Sequence, residues 1–148
     1  MTVDALLDGG YPVDQVNNVG ETALMFGACD LDTVRLLLRR GASVEARSAY
    51  GLTPLMYAAG CIELEPVQAL VEGGSDIEAR TNTGQTALMF ACLAGRVDIA
   101  EFLIQAGADL SASDEEGNTA LHYAEIEQRD DVIALLKNYG LLRSKVPN

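Results

Sequence analysis

The sequence predicts an all-α solenoid, in which helix-turn-helix-hairpin units stack one on the next. Two observations predict it. A motif returns four times, as Gly20-Glu-Thr-Ala-Leu-Met-Phe, Gly51-Leu-Thr-Pro-Leu-Met-Tyr, Gly84-Gln-Thr-Ala-Leu-Met-Phe and Gly117-Asn-Thr-Ala-Leu-His-Tyr, with intervals of 31, 33 and 33 residues between the glycines. A block in which an aliphatic helix ends with Gly follows each of the first three, as RLLLRRGASVEAR (35–47), ALVEGGSDIEAR (69–80) and FLIQAGADLSAS (102–113). A fixed period of this length is the mark of a repeat architecture, in which each unit contacts only its neighbours.

Taken in chain order, the first element is half a unit. VDALLDGGYPVDQ (3–15) matches the aliphatic block, and Val3, Leu6 and Leu7 begin a second helix with no first helix before it. The expectation is that the chain is excised from something longer or that residues before Met1 are missing. In each full unit, Thr22, Thr53, Thr86 and Thr119 stand where a side-chain oxygen accepts from the backbone N–H groups opening a short helix. Pro54 suits the first helical position, where its missing N–H costs nothing. The second helices carry Val34, Leu37 and Leu38, then Val67, Leu70 and Val71, then Ile99, Phe102, Leu103 and Ile104, apolar at helical spacing on one face. Gly41, Gly74, Gly107 and Gly140 follow, where a left-handed backbone ends a helix cheaply. The stretches between units, such as Ala-Ser-Val-Glu-Ala-Arg-Ser-Ala-Tyr-Gly51, are too short for another helix and suit a hairpin. The last unit carries Arg129, Asp130, Asp131, Lys137 and Asn138 along its final helix, the polar outer face of a capping unit.

Both signatures recurring in register resemble the ankyrin repeat family, whose unit is 33 residues with a T-P-L-H-x-A signature and a G-A-D block. The resemblance covers residues 3 to 142. It implies a single domain over 1–148, with a partial unit at 1–16, full units at 17–47, 48–80, 81–113 and 114–142, and a tail at 143–148. The chain departs from the family pattern in three places. Met25, Met56 and Met89 replace the usual His, leaving His122 alone in that role; the first full unit is two residues short near Cys29 and Asp30; and Ile62 stands where the family has Gly.

Composition excludes several functions. The chain has 148 residues, 49% hydrophobic and 22% charged, with no apolar run near the length of a membrane span and no basic start followed by an apolar stretch. A net charge of -12 opposes nucleic acid and anionic membrane surfaces as partners. Three cysteines without paired spacing suggest neither a disulfide framework nor a metal site, which fits an intracellular, cytoplasmic setting. Because packed helix axes sit about 8–10 Å apart and a disulfide needs Cα atoms within about 7 Å, Cys29, Cys61 and Cys92 are expected to be unbridged filler or surface thiols. The resemblance makes His122 structural, its ring hydrogen-bonded to backbone of a neighbouring hairpin. The Met25, Met56 and Met89 ladder reads as packing between units, and Asp114, Glu115 and Glu116 as a solvated hairpin tip. No nucleophile and base converge, so neither catalysis nor a cofactor or metal is expected.

Charge is polarised along the chain. From Asp109 to Asp131 there are eight acids against one Arg, whereas Arg35, Arg39, Arg40 and Arg47 cluster in the first full unit. The resemblance implies that another protein docks on hairpin tips and first helices, on a concave face. In this chain those variable positions include Val19, Glu21, Arg47, Tyr50, Leu52, Arg80, Asn82, Gln85, Leu93, Glu115, Glu116, Asn118, Ile126 and Glu127. Tyr50, Leu52 and Leu93, with Arg47 and Arg80 alongside, have the aromatic-plus-Arg chemistry of interface hot spots. The expected function is a non-catalytic protein-protein interaction scaffold, monomeric by itself, whose partner carries a basic segment toward the acidic end. The alternative is a targeting or regulatory domain of a larger enzyme or effector.

Overall fold

The computed structural model describes residues 2–144. Within them the chain forms nine helices: α1 (Val3–Asp8), α2 (Ala23–Phe26), α3 (Leu31–Arg39), α4 (Pro54–Ala59), α5 (Glu65–Glu72), α6 (Ala87–Ala94), α7 (Val97–Gln105), α8 (Ala120–Ile126) and α9 (Asp130–Ser144). Extended pairing among the described residues is confined to isolated bridges, Val16 with Thr22 and Ser113 with Thr119. After α1, helices pair as first and second members of a unit, and successive first helices α2, α4, α6 and α8 pack in a row.

Local sequence sets the ends of these helices. The hydroxyls of Thr22, Thr53, Thr86 and Thr119 accept from backbone N–H groups three residues on, at 3.4 to 3.5 Å. In the first three units the methionine completes a reciprocal cap, its sulfur accepting the N–H of the capping Thr at 3.4 Å. Met25, Met56 and Met89 are each 2% exposed, so one residue fills the gap between units and satisfies an orphan donor. At the far end of the second helices, Gly41, Gly74 and Gly107 are left-handed. The residue after each donates back into the helix, Ala42 to Leu37, Ser75 to Leu70 and Ala108 to Leu103, at 2.9, 3.1 and 2.9 Å, which is the Schellman closure.

Gly140 does not play that part. It lies inside α9, which continues to Ser144. Leu141, Leu142 and Arg143, all good helix formers, follow Gly140 where the other units place Ala-Ser, Ser-Asp or Ala-Asp turn residues. Of the expected tail, 145–148 lies outside the described residues, as does Met1. The fourth unit makes its inter-helix turn without glycine, with Gln128 at φ +53° where the third uses Gly95 at φ +72°.

The core is an aliphatic sheet of contacts between units. Leu24, Leu55 and Leu88 from first helices and Val34, Leu37, Val67, Leu70, Ile99 and Leu103 from second helices are at most 1% exposed. Leu121 occupies the position of Leu88 one unit later, yet it is only partly buried. His122 departs likewise: it is exposed, and the group it offers to Thr119 Oγ1 is its backbone N–H rather than its ring. The corresponding Leu88 and Met89 are covered by the next unit, whereas among the described residues no unit covers Leu121 and His122.

The cysteines also depart from expectation. Cys29 and Cys61 are joined by a disulfide with their Cα atoms 5.5 Å apart. Axis spacing does not govern these residues, because both lie beyond the ends of their helices. α2 stops at Phe26, and the short turn Gly27-Ala28-Cys29 swings toward Gly60-Cys61 after α4. Cys92 alone is a free thiol among the described cysteines, and it is buried within α6.

Unequal burial at equivalent positions leads to an expected outcome. Leu88→Ala should cost about 2–5 kcal/mol, as a fully enclosed leucine does, and Leu121→Ala about 1–2 kcal/mol, because part of its surface is already in water. Urea denaturation of both variants measures this, and a larger loss for Leu121→Ala would contradict it.

Candidate functional site on the hairpins and first helices

Each unit opens with a hairpin whose shape depends on one polar side chain. Asn17, Ser48, Thr81 and Asp114 occupy equivalent positions, three residues before the motif glycine. Asn17 Oδ1 accepts the N–H groups of Val19 and Glu21, both at 3.0 Å. Ser48 Oγ takes Tyr50 and Leu52 at 3.3 and 3.2 Å; Thr81 Oγ1 takes Thr83 and Gln85 at 3.3 and 3.0 Å; Asp114 Oδ1 takes Glu116 and Asn118 at 2.9 and 2.8 Å. Four different residue types thus do one job, offering an oxygen to the turn amides two and four residues on.

The hairpins bond to one another. Ala49 N–H donates to the Val19 carbonyl at 2.8 Å, Asn82 to Tyr50 at 3.0 Å and Glu115 to Thr83 at 3.0 Å, in the same register each time. Approach at these points is close. A Cβ on Gly51, itself at φ +77°, would lie 2.6 Å from Asn82 Oδ1 and 2.8 Å from its backbone N, so only glycine fits there.

This lattice employs several residues expected to face a partner. Arg47 donates to the Arg80 carbonyl, Arg80 to the Ser113 carbonyl at 2.7 Å and Asn82 Nδ2 to the Ala49 carbonyl at 2.8 Å. Both arginines therefore staple one unit to the next rather than flank the apolar residues as anchors, and neither lines the depressions of this face. Glu127 ends α8 beside Arg129, with an ion-pair distance of 3.9 Å, and also lies outside the depressions.

On this face of hairpins and first helices two depressions adjoin. One, of about 300 Å³, is lined by Tyr50, Leu52, Thr81, Asn82, Thr83, Gln85 and Phe90. The next, of about 290 Å³, is lined by Thr83, Gln85, Asp114, Glu115, Glu116 and Tyr123. Leu93 meets Gln85, Phe90 and Tyr123 in a small notch at their junction. Asn118 supports the acidic side, its amide donating to Asp114 Oδ2 at 3.2 Å and Glu116 Oε2 at 3.3 Å. The structure therefore brings together Tyr50, Leu52, Asn82, Gln85, Leu93, Glu115, Glu116 and Asn118. It adds Thr83, Phe90, Asp114 and Tyr123. The aromatic position closing each motif was visible in sequence as Phe26, Tyr57, Phe90 and Tyr123, but it reads there as part of the repeat signature.

Electrostatics at the two tyrosines of this aromatic row follow one pattern. The Tyr123 hydroxyl donates to Asp114 Oδ2 at 2.6 Å and accepts from Gln85 Nε2 at 2.8 Å. That hydroxyl, together with backbone and Asn118 donors, holds the Asp114 carboxyl below the usual carboxylate range. Tyr123 is pushed up, first by burial and then by Asp114. In the first interface the Tyr57 hydroxyl donates to Glu21 Oε1 at 2.5 Å, lowering Glu21, and burial followed by Glu21 pushes Tyr57 up to about 12.

The sign of the pH effect follows. A carboxylate lowered by folding contributes stability above its unfolded pKa and loses it as pH falls through the lowered value. A tyrosine raised by folding contributes below its unfolded value and loses it as pH rises, for Tyr57 from 10.0 to about 12. Tyr123→Phe should return Asp114 toward the ordinary carboxylate range while leaving Glu21 low, and Tyr57→Phe should do the reverse. Carboxyl carbon NMR titration reads both, and unmoved titrations in the variants would show that the tyrosines are not the cause.

The family model for ankyrin repeats, spanning three copies, matches residues 1–81 and 61–143. No curated protein matches the chain. Ankyrin repeats are generally modules that bind other proteins, and among the described residues no helix is long and apolar enough to cross a membrane. The motif, the nine helices and the hairpin lattice agree with that match, and the chain belongs to the ankyrin repeat family.

Proposed function

We propose that this chain is a non-catalytic docking module, gripping a protein segment that carries an apolar anchor followed by basic residues. One observation carries this reading: the apolar and acidic depressions share Thr83 and Gln85 as a common wall, so a single extended segment spans both. Tyr50 is 64% exposed at the apolar end, offering ring surface that a bound side chain would take out of water. Glu115 and Glu116 are exposed at the other end, where a Lys or Arg would meet them. The net charge of -12 favours a basic partner and opposes a nucleic acid. Docking rather than turnover is supported by the polar groups in the acidic depression: both oxygens of Asp114 and the Tyr123 hydroxyl are already bonded within the chain.

Steering and grip should separate experimentally. A peptide selected on the chain from a random display library is expected to be enriched in Lys or Arg on one side of an apolar residue. With that peptide, Glu115→Lys with Glu116→Lys should slow association several-fold and flatten its salt dependence, because rim charges act mainly on encounter. Tyr50→Ala with Leu52→Ala should speed dissociation about 10- to 100-fold, because an anchor makes its contacts only after docking. Stopped-flow binding measures both. Parental rates in both double variants would move the site off this face, toward the surface of α3 around Arg35 and Arg39.

A further inference from the structure

We infer that Cys29 and Cys61 form a reversible thiol–disulfide exchange site across the interface between the first two full units, taking low-molecular-weight thiols and disulfides as co-reactants. Their Cα separation of 5.5 Å lies in the middle of the range disulfides use, so bridging asks no movement of the backbone. Cys29 is exposed and Cys61 is 8% exposed. With Ile62 and Glu63 they line a depression of about 250 Å³ open to solvent, room enough for a small thiol. Cys92 offers the contrast: it is fully buried, and burial pushes its thiol up to about 12, as expected for an inert structural cysteine.

Exchange runs in two balanced steps. A thiolate attacks Cys29 Sγ, the exposed sulfur; the Cys29–Cys61 bond breaks, and its electron pair leaves on Cys61 Sγ, which takes a proton from solvent. A second thiolate attacks the outer sulfur of the mixed disulfide, releasing the co-reactant as its own disulfide and Cys29 as the thiolate, which also takes a proton from solvent. The protein gains two electrons and two protons while two small thiols become one disulfide. Both end states suit the site. In the dithiol, the Cys61 S–H has the Tyr57 carbonyl oxygen 3.2 Å away as acceptor. In the disulfide, α4 is tied to the first full unit at Cys61 as well as through the Tyr57–Glu21 hydrogen bond. Because the cross-link joins residues 32 apart in sequence, closing it restricts the unfolded chain and steadies the first interface.

The inference stands apart from the docking reading, since its test needs no partner. The full chain is equilibrated with glutathione and glutathione disulfide at graded ratios, quenched with acid, alkylated and weighed. Cys29 and Cys61 should interconvert together across the series, with Cys92 alkylated only after denaturation. The thermal midpoint of the oxidised form should exceed that of the reduced form by about 5 °C or more, and Cys29→Ser should abolish the difference. In Cys61→Ser, Cys29 should acquire one glutathione, at least about tenfold faster than Cys61 does in Cys29→Ser. Three results would overturn the inference: both cysteines remaining alkylatable in glutathione disulfide alone, a bridge that millimolar glutathione leaves intact, or equal midpoints for the two redox forms.

Discussion

Each unit of this chain completes its core only against the unit that follows, and the rest of the structure depends on that burial. Leu88 and Leu121 show it most plainly, because they sit at the same place in the same motif. Leu88 is buried, with α8 beyond it, whereas Leu121 has no following unit among the described residues and is only partly buried. The neighbouring pair, Met89 and His122, divides the same way. Position in the motif therefore does not decide burial; the next unit does. This is the physical content of a quasi-one-dimensional architecture, where stability is a sum of unit and interface contributions.

Two kinds of force act at each interface, and their magnitudes assign them different roles. Burying one leucine contributes about 1.5–3 kcal/mol, and each interface holds several such side chains. A net hydrogen bond contributes about 0.5–1.5 kcal/mol, so the single backbone bond between successive hairpin tips is a minor share of the energy. Its contribution is register. Aliphatic faces slide, but Ala49 to Val19, Asn82 to Tyr50 and Glu115 to Thr83 fix the rotation of each unit on the last. Arg47 and Arg80 reinforce the same lock by reaching one unit along to a backbone carbonyl. Because the lock sets where Tyr50, Phe90 and Tyr123 stand relative to one another, it also shapes the depressions between them.

Much of this was legible in the sequence, for a definable reason. The capping threonines, the left-handed glycines after α3, α5 and α7, and the aliphatic faces of the second helices are decided within a few residues. One local device was not legible: Asn17, Ser48, Thr81 and Asp114 share no side-chain type, so no pattern of letters announces their common role. Interactions made across a whole unit were not legible either. Arg47 and Arg80 resemble surface anchors until the carbonyl one period away is in view. The Cys29–Cys61 bridge depended on α2 ending at Phe26, a local shortening whose direction in space no spacing argument supplies. Gly140 failed for the opposite reason: Leu141, Leu142 and Arg143 carry the helix onward where turn residues would have stopped it.

The central claim is that the hairpins, though at the surface, are locked unit to unit. Native-state hydrogen exchange at the amides of Ala49, Asn82 and Glu115 tests it most directly. The account predicts that all three are protected to nearly the same degree as amides in the helices they precede, since opening any of them requires separating two units. Exchange of these amides at the rate of free loop residues, with the helices still protected, would contradict it.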